Sequence, residues 1–99
     1  MIVELALLNI RPGTERQFEA AFAKAILVLA STPGCLAHEL RRSIEAPNRY
    51  ALTVQWRNLE DHTVGFRGSP AFTQWREQVG PFFDAPPVVE HFESLAATG

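Results

Sequence analysis

Two groups able to handle protons or negative charge stand five positions apart in the stretch DHTVGFRGSPAFTQW, residues 61–75: the imidazole of His62 and the guanidinium of Arg67. An unperturbed imidazole titrates near pH ~6.5, so His62 is a candidate general base for a phenolic or enolic proton. Deprotonation is a useful step in itself, because an electron-rich aromatic anion can reduce O2 directly. A protein doing this need only bind the molecule, remove the proton and keep water away. The competing reading is a histidine that merely caps or decorates a short surface helix. Arg67 and Arg76 are fixed cations able to stabilise an anionic substrate or a peroxide, or else surface residues paired with carboxylates.

Around these groups the aromatic density is high: Phe66, Phe72, Trp75, Phe82 and Phe83 fall within residues 66–83. Small-molecule pockets are mostly apolar with a few polar groups, so these rings could wall a slot for a flat ligand. They could equally be the core between helix and sheet. His38 shares a strand face with Leu36 and Leu40, which points it into a cavity or a subunit interface, with a satisfied buried histidine as the default; His91 is similar. No two of His38, His62 and His91 have the i, i+2 or i, i+4 spacing that makes metal ligation credible, so no metal is expected. No nucleophile elbow or phosphate-binding glycine loop is present, which argues against a serine hydrolase or a nucleotide site.

The elements that must position these residues are legible from periodicity. Residues 2–10, IVELALLNI, read as a strand closed by Arg11-Pro12-Gly13, with Ile2, Ala6, Leu8 and Ile10 on one face beside Glu4, and Val3, Leu5 and Leu7 on the other beside Asn9. Both faces are apolar, which suits a central strand. Thr14 with Gln17 predicts a capping box opening a helix whose Phe18, Phe22, Ala25, Ile26 and Leu29 recur at helical spacing until Ser31-Thr32-Pro33-Gly34. Residues 35–44 and 50–57 form a hairpin across Glu45-Ala46-Pro47-Asn48, the second strand placing Tyr50, Leu52, Val54 and Trp56 on one side. Asn58 can cap a short helix over about 59–67; Ser69 as N-cap and Pro70 at the first helical position start another, ended by Gly80-Pro81. The break at Arg67-Gly68-Ser69-Pro70 bends two short helices where one long helix would have covered the core more evenly. A gap beneath them is the expected result. Residues 86–93, PPVVEHFE, read as an edge strand.

Strand, helix, strand, strand, helical segment, strand is the α+β split βαβ layout, a ferredoxin-like four-stranded antiparallel sheet with helices on one face. The opposite face of the first strand then offers Val3, Leu5 and Leu7 to water, and a homodimer packing sheet against sheet is expected to cover it. At 99 residues, residues 1–99 make a single domain near the size where one core is only modestly stable. A composition 46% hydrophobic and 20% charged, with a net charge of -2, is that of an ordinary soluble globule without the basic footprint of nucleic-acid binding. No apolar run approaches the ~20 residues of a membrane span, no signal-peptide pattern opens the chain, and the lone Cys35 excludes an internal disulfide. A cytoplasmic location is the expectation.

With that layout, ALTVQW RNLEDH … SPAFTQW … PFF … VVEHFE resembles the antibiotic biosynthesis monooxygenase family of the dimeric α+β barrel superfamily, over nearly the whole chain. The carrying features are Trp56 at the end of its strand, Leu59-Glu60-x-His62 after it, and Ser69-Pro70-Ala71-Phe72. The resemblance implies a homodimer whose sheets enclose a barrel, a substrate cavity in each subunit, and oxidation of a small aromatic, phenolic or quinone-like substrate by O2 without bound metal or flavin. A haem-opening branch resembles this layout too, but its asparagine, tryptophan and ligating histidine would fall on Ala6, Phe66 and Arg76. None matches, and Asn9, three residues along the strand, faces the other way. In quinol-type members a polar residue precedes a tryptophan by one helical turn, and here the pair is His62 and Phe66. The expected function is a cofactor-independent monooxygenase with His62 as base. Two alternatives are a non-catalytic barrel binding a hydrophobic ligand and an isomerase using the same base.

Overall fold

The computed structural model describes residues 1–97. The elements run β1 (Ile2–Asn9), α1 (Glu15–Ala30), β2 (Cys35–Arg42), β3 (Arg49–Trp56), a π-helix (Asp61–Phe66), α2 (Pro70–Val79), a 3-10 turn (Gly80–Phe82) and β4 (Val88–Glu93). The four strands order as β2-β3-β1-β4 with every neighbouring pair antiparallel. This is the expected ferredoxin-like α+β architecture. β1 and β3 are central and β4, with Pro86 and Pro87 just before it, is an edge, where missing backbone donors cost no ladder bonds.

Alternation sorts the sheet's faces. Ala6, Leu8 and Ile10 of the first strand and Tyr50, Leu52, Val54 and Trp56 of β3 are buried under the helices. α1 lowers Phe18, Phe22, Ala25, Ile26 and Leu29 onto them. The Phe18 ring meets Tyr50 at 4.9 Å between centroids, tilted by 58°, a favourable aromatic geometry. The opposite face stays open: Leu7 is 37% exposed, Val88 62% and Phe92 45%. These side chains lie together because Leu7 pairs with Val88 and Val3 with Phe92.

Two side-chain capping expectations are corrected, and the short helix expected after Asn58 is present with a wider hydrogen-bond pattern. The capping box does not form: the Thr14 hydroxyl donates backwards to the Arg11 carbonyl, and Glu15 accepts the Gly13 N–H instead. Ser69 likewise turns its hydroxyl to the Phe66 carbonyl, so α2 begins on Pro70 without a side-chain cap. The short helix after Asn58 is a π-helix, in which Arg67 N–H donates to the His62 carbonyl, five residues back. Asn58 does cap its entry, its Oδ1 accepting from Asp61 N–H at 2.9 Å. Arg57 then grips the Asp61 carboxylate with two donors at 3.0 and 3.1 Å.

Candidate active site

The two short helices roof the β1/β4 half of the sheet imperfectly and leave a cavity of about 1030 Å³. Its floor is Glu4, Ala6 and Leu8 of β1 with Val89 of β4, and its roof comes from the π-helix, α2 and the segment after it. Of the sequence-predicted residues, His62, Phe66, Arg67, Phe72, Trp75, Arg76 and Phe83 line it. Phe82 does not; it packs on the core, with its ring 6.3 Å from Phe18. His38 is neither at the cavity nor buried: it is exposed on β2, the edge strand on the opposite side of the sheet. His38 is thus not among the residues that line this cavity.

His62 is 3% exposed, and its environment is built by every neighbouring element. The indole of Trp56 stacks beneath it at 5.1 Å and 16°, and Phe66 lies 6.1 Å away on the same helical piece. On one side its Nδ1 lies 2.7 Å from Nε2 of His91 on β4. On the other its Nε2 lies 3.4 Å from Oε1 of Glu4 on β1, a polar contact too long for a good hydrogen bond. That same Glu4 oxygen accepts the Trp56 Nε1–H at 3.0 Å. Glu4 and His91 are directly opposite each other in the β1–β4 pairing, so strand register sets both sides of the imidazole.

Electrostatics follow from burial. The Glu4 carboxyl is 6% exposed; desolvation raises its pKa above the ordinary carboxylate value, opposed by the Trp56 hydrogen bond and the charge of Arg67. Desolvation pushes His62 down to about 4, helped by the Arg67 cation and by His91. His91 is lowered for the same first reason, with Arg67 adding to it. The first cause is the same for Glu4 and His62: burial penalises the charged form of each. A neutral imidazole at the cavity wall has one ring nitrogen able to accept a proton from a molecule there.

Arg67 and Arg76 are exposed at the cavity, and among the described residues neither is in an ion pair. Arg76 instead rests over the Phe72 ring, 5.6 Å from its centroid. Phe72 in turn meets Phe66 edge-on at 5.4 Å, and Trp75 meets Phe22 edge-on at 5.8 Å, so the aromatic wall is continuous with the core. Among the described residues no group of three histidine, cysteine or acidic side chains could hold a metal ion. No described helix is long and apolar enough to cross a membrane.

Sequence reasoning missed Glu4 and left His91 without a role. The signal for Glu4 was present: one carboxylate interrupts an otherwise apolar strand face at Ala6, Leu8 and Ile10. A buried acid demands a partner.

The architecture and the site agree with what the chain is similar to. Residues 1–78 match the family model for antibiotic biosynthesis monooxygenase. The chain belongs to that family. YczJ, an uncharacterized protein of Bacillus subtilis, is 39% identical over 95 residues, covering 96% of this chain and 100% of YczJ. A crystal structure of a protein of the same family from Bordetella bronchiseptica is 42% identical, with a TM-score of 0.92 over 96% of this chain and 97% of that one. SnoaB, a cofactor-independent oxygenase from Streptomyces nogalater, has a TM-score of 0.83 at 18% identity, over 97% of this chain and 94% of its own; this likeness is one of fold.

Proposed function

We propose that the protein is a cofactor-independent monooxygenase acting on a phenolic or quinol-type aromatic molecule. The observation that carries this reading is the buried Glu4–His62 pair opening onto an aromatic-walled cavity of about 1030 Å³. The family and the fold shared with the oxygenase SnoaB support it. A flat ring enters between Phe66, Phe72 and Trp75, and its hydroxyl gives its proton to the Glu4–His62 pair. The resulting anion transfers electrons to O2 and forms a carbon–oxygen bond, giving a peroxide anion. Protonation of that peroxide, cleavage of its O–O bond and loss of the ring hydrogen yield a quinone and one water. Arg67 and Arg76 supply positive charge while the substrate and the peroxide are anionic. A second copy of the chain covers the open apolar face around Leu7, Val88 and Phe92, which makes the working unit a homodimer.

The test is oxygen consumption with 1,4-dihydroxynaphthalene, followed with an electrode and corrected for autoxidation. Enzyme-dependent uptake is expected to fall about 100-fold or more in His62→Ala, the range typical of a lost proton-transfer group. Absence of enzyme-dependent uptake across a panel of naphthols and anthrones would overturn the reading. Solvent-proton exchange into the ligand without uptake would mark an isomerase instead.

A further inference from the structure

One buried titratable contact is unexplained by base catalysis alone. A single base needs one neighbour to orient it, yet His62 has a polar partner at each ring nitrogen, and the second partner, His91, does not line the cavity. His91 stands half-buried on the edge strand β4, on the far side of His62 from the Glu4 contact. We infer that Glu4, His62 and His91 form a proton relay from the cavity to the outer edge of the sheet, with His91 as the positioning and relay residue. This inference rests on the proposed oxygenase reading for its purpose and on the geometry for its existence.

The relay balances over one turnover. At rest His62 carries its proton on Nδ1 and donates it to His91 Nε2, which leaves the Nε2 lone pair facing Glu4 and the cavity. When a substrate proton arrives at Nε2, the Nδ1 proton passes to His91, and the other ring nitrogen of His91 releases one proton to water. His62 is left as its Nε2–H tautomer, held by the Glu4 carboxylate. When the peroxide anion forms, that Nε2 proton is donated to it, and Nδ1 is refilled through His91. One proton leaves and one returns, so the sequence starts again without a ring flip. Four groups set the energetics: Glu4 from β1 favours a proton on Nε2, Arg67 from the helical segment opposes extra positive charge, His91 from β4 accepts at Nδ1, and Trp56 from β3 holds the Glu4 oxygen.

Two measurements test this. The first needs no turnover: ring-nitrogen NMR on protein labelled with ¹⁵N-histidine. Expected are a proton on His62 Nδ1 shared with His91 Nε2, seen as coupling across the hydrogen bond, and a shift of His62 towards the Nε2–H tautomer in His91→Phe. Two imidazoles that titrate independently, or an unchanged His62 tautomer in His91→Phe, would overturn the relay. The second is oxygen uptake with 1,4-dihydroxynaphthalene in His91→Gln, a side chain that can still hydrogen-bond but cannot titrate. The rate is expected to drop at least about 10-fold, to recover with added imidazole buffer, and to show a larger solvent isotope effect; a purely structural role would produce the drop alone, without the rescue or the isotope effect. Unaltered uptake and isotope effect in His91→Gln, with His62→Ala inactive, would sink the relay and leave the oxygenase reading standing. Wild-type inactivity, with the shared proton present by NMR, would sink the oxygenase reading and leave the relay.

Discussion

One face of the sheet is covered in two different ways. Over β3, the unbroken α1 lays Phe18 and Phe22 against Tyr50 and its neighbours, and Phe18 is fully buried. Over β1 and β4, the π-helix and α2 meet at a bend, and the space below them holds a carboxylate, an imidazole and a cavity. A regular helix presents ridges that interdigitate with a sheet along its whole length, whereas a bent pair cannot do so at the bend. The first region secures the fold, and the second uses the stability so gained to tolerate polar burial.

Substitutions should separate the two regions. Phe18→Ala empties a closed site and is expected to cost about 3–5 kcal/mol in urea unfolding; Phe72→Ala, on a wall that already borders open space, should cost roughly 1 kcal/mol or less. Equal losses would erase the distinction. The next effect is pH-dependent and belongs to the polar region alone. His62 is held neutral with its pKa pushed down from 6.5 to about 4, so the unfolded chain binds more protons between those values. Stability is therefore fully present above pH 6.5 and declines as pH falls towards 4, by about 3 kcal/mol from this group. A chemical-denaturation series should show that slope in the wild type and a shallower one in His62→Phe.

Glu4 acts with the opposite sign. Its raised pKa means that the folded state binds the extra proton, so its contribution is present below the unfolded value and lost as pH rises through the folded one. Glu4→Gln keeps an acceptor for Trp56 Nε1 and should remove that decline. The smallest effect concerns the exposed end of the roof: breaking the Arg57–Asp61 pair with Arg57→Ala should cost only about 0.5 kcal/mol. The same change should loosen the π-helix more than α1, as read by hydrogen exchange of amides 61–66.

The two regions were also unequally legible in the sequence. α1 and the central strands follow from period 3.6 and period 2, because Phe18, Phe22 and Leu29, or Tyr50, Leu52 and Val54, are local repeats whose spacing is the structure. The bend at Gly68-Ser69-Pro70 and the cavity-lining role of Phe66, Phe72 and Trp75 were readable for the same reason. The π-helix was not, since His62 and Phe66 four apart fit an α-turn equally well and the wider hydrogen bond leaves no mark in composition. Nor was the partnership of His62 with His91, which depends on the β1–β4 register bringing Glu4 opposite His91, a long-range pairing that no local pattern encodes. The place of His38 away from the cavity was not readable either, because strand alternation assigns a face but not which half of the sheet lies under the roof.

The widened turn at Asp61–Phe66 amounts to one surplus residue spliced into a helix. Deleting any one of Thr63, Val64 or Gly65 would tighten it to an ordinary α-turn, with His62 and Phe66 three positions apart. Both rings would still face the sheet, but shifted from the position that now stacks His62 on Trp56 and sets it against His91, while the sheet and α1 kept every one of their own residues. A loss of a single codon at a surface position would thus disturb the imidazole's contacts and leave the main layers of the fold in place.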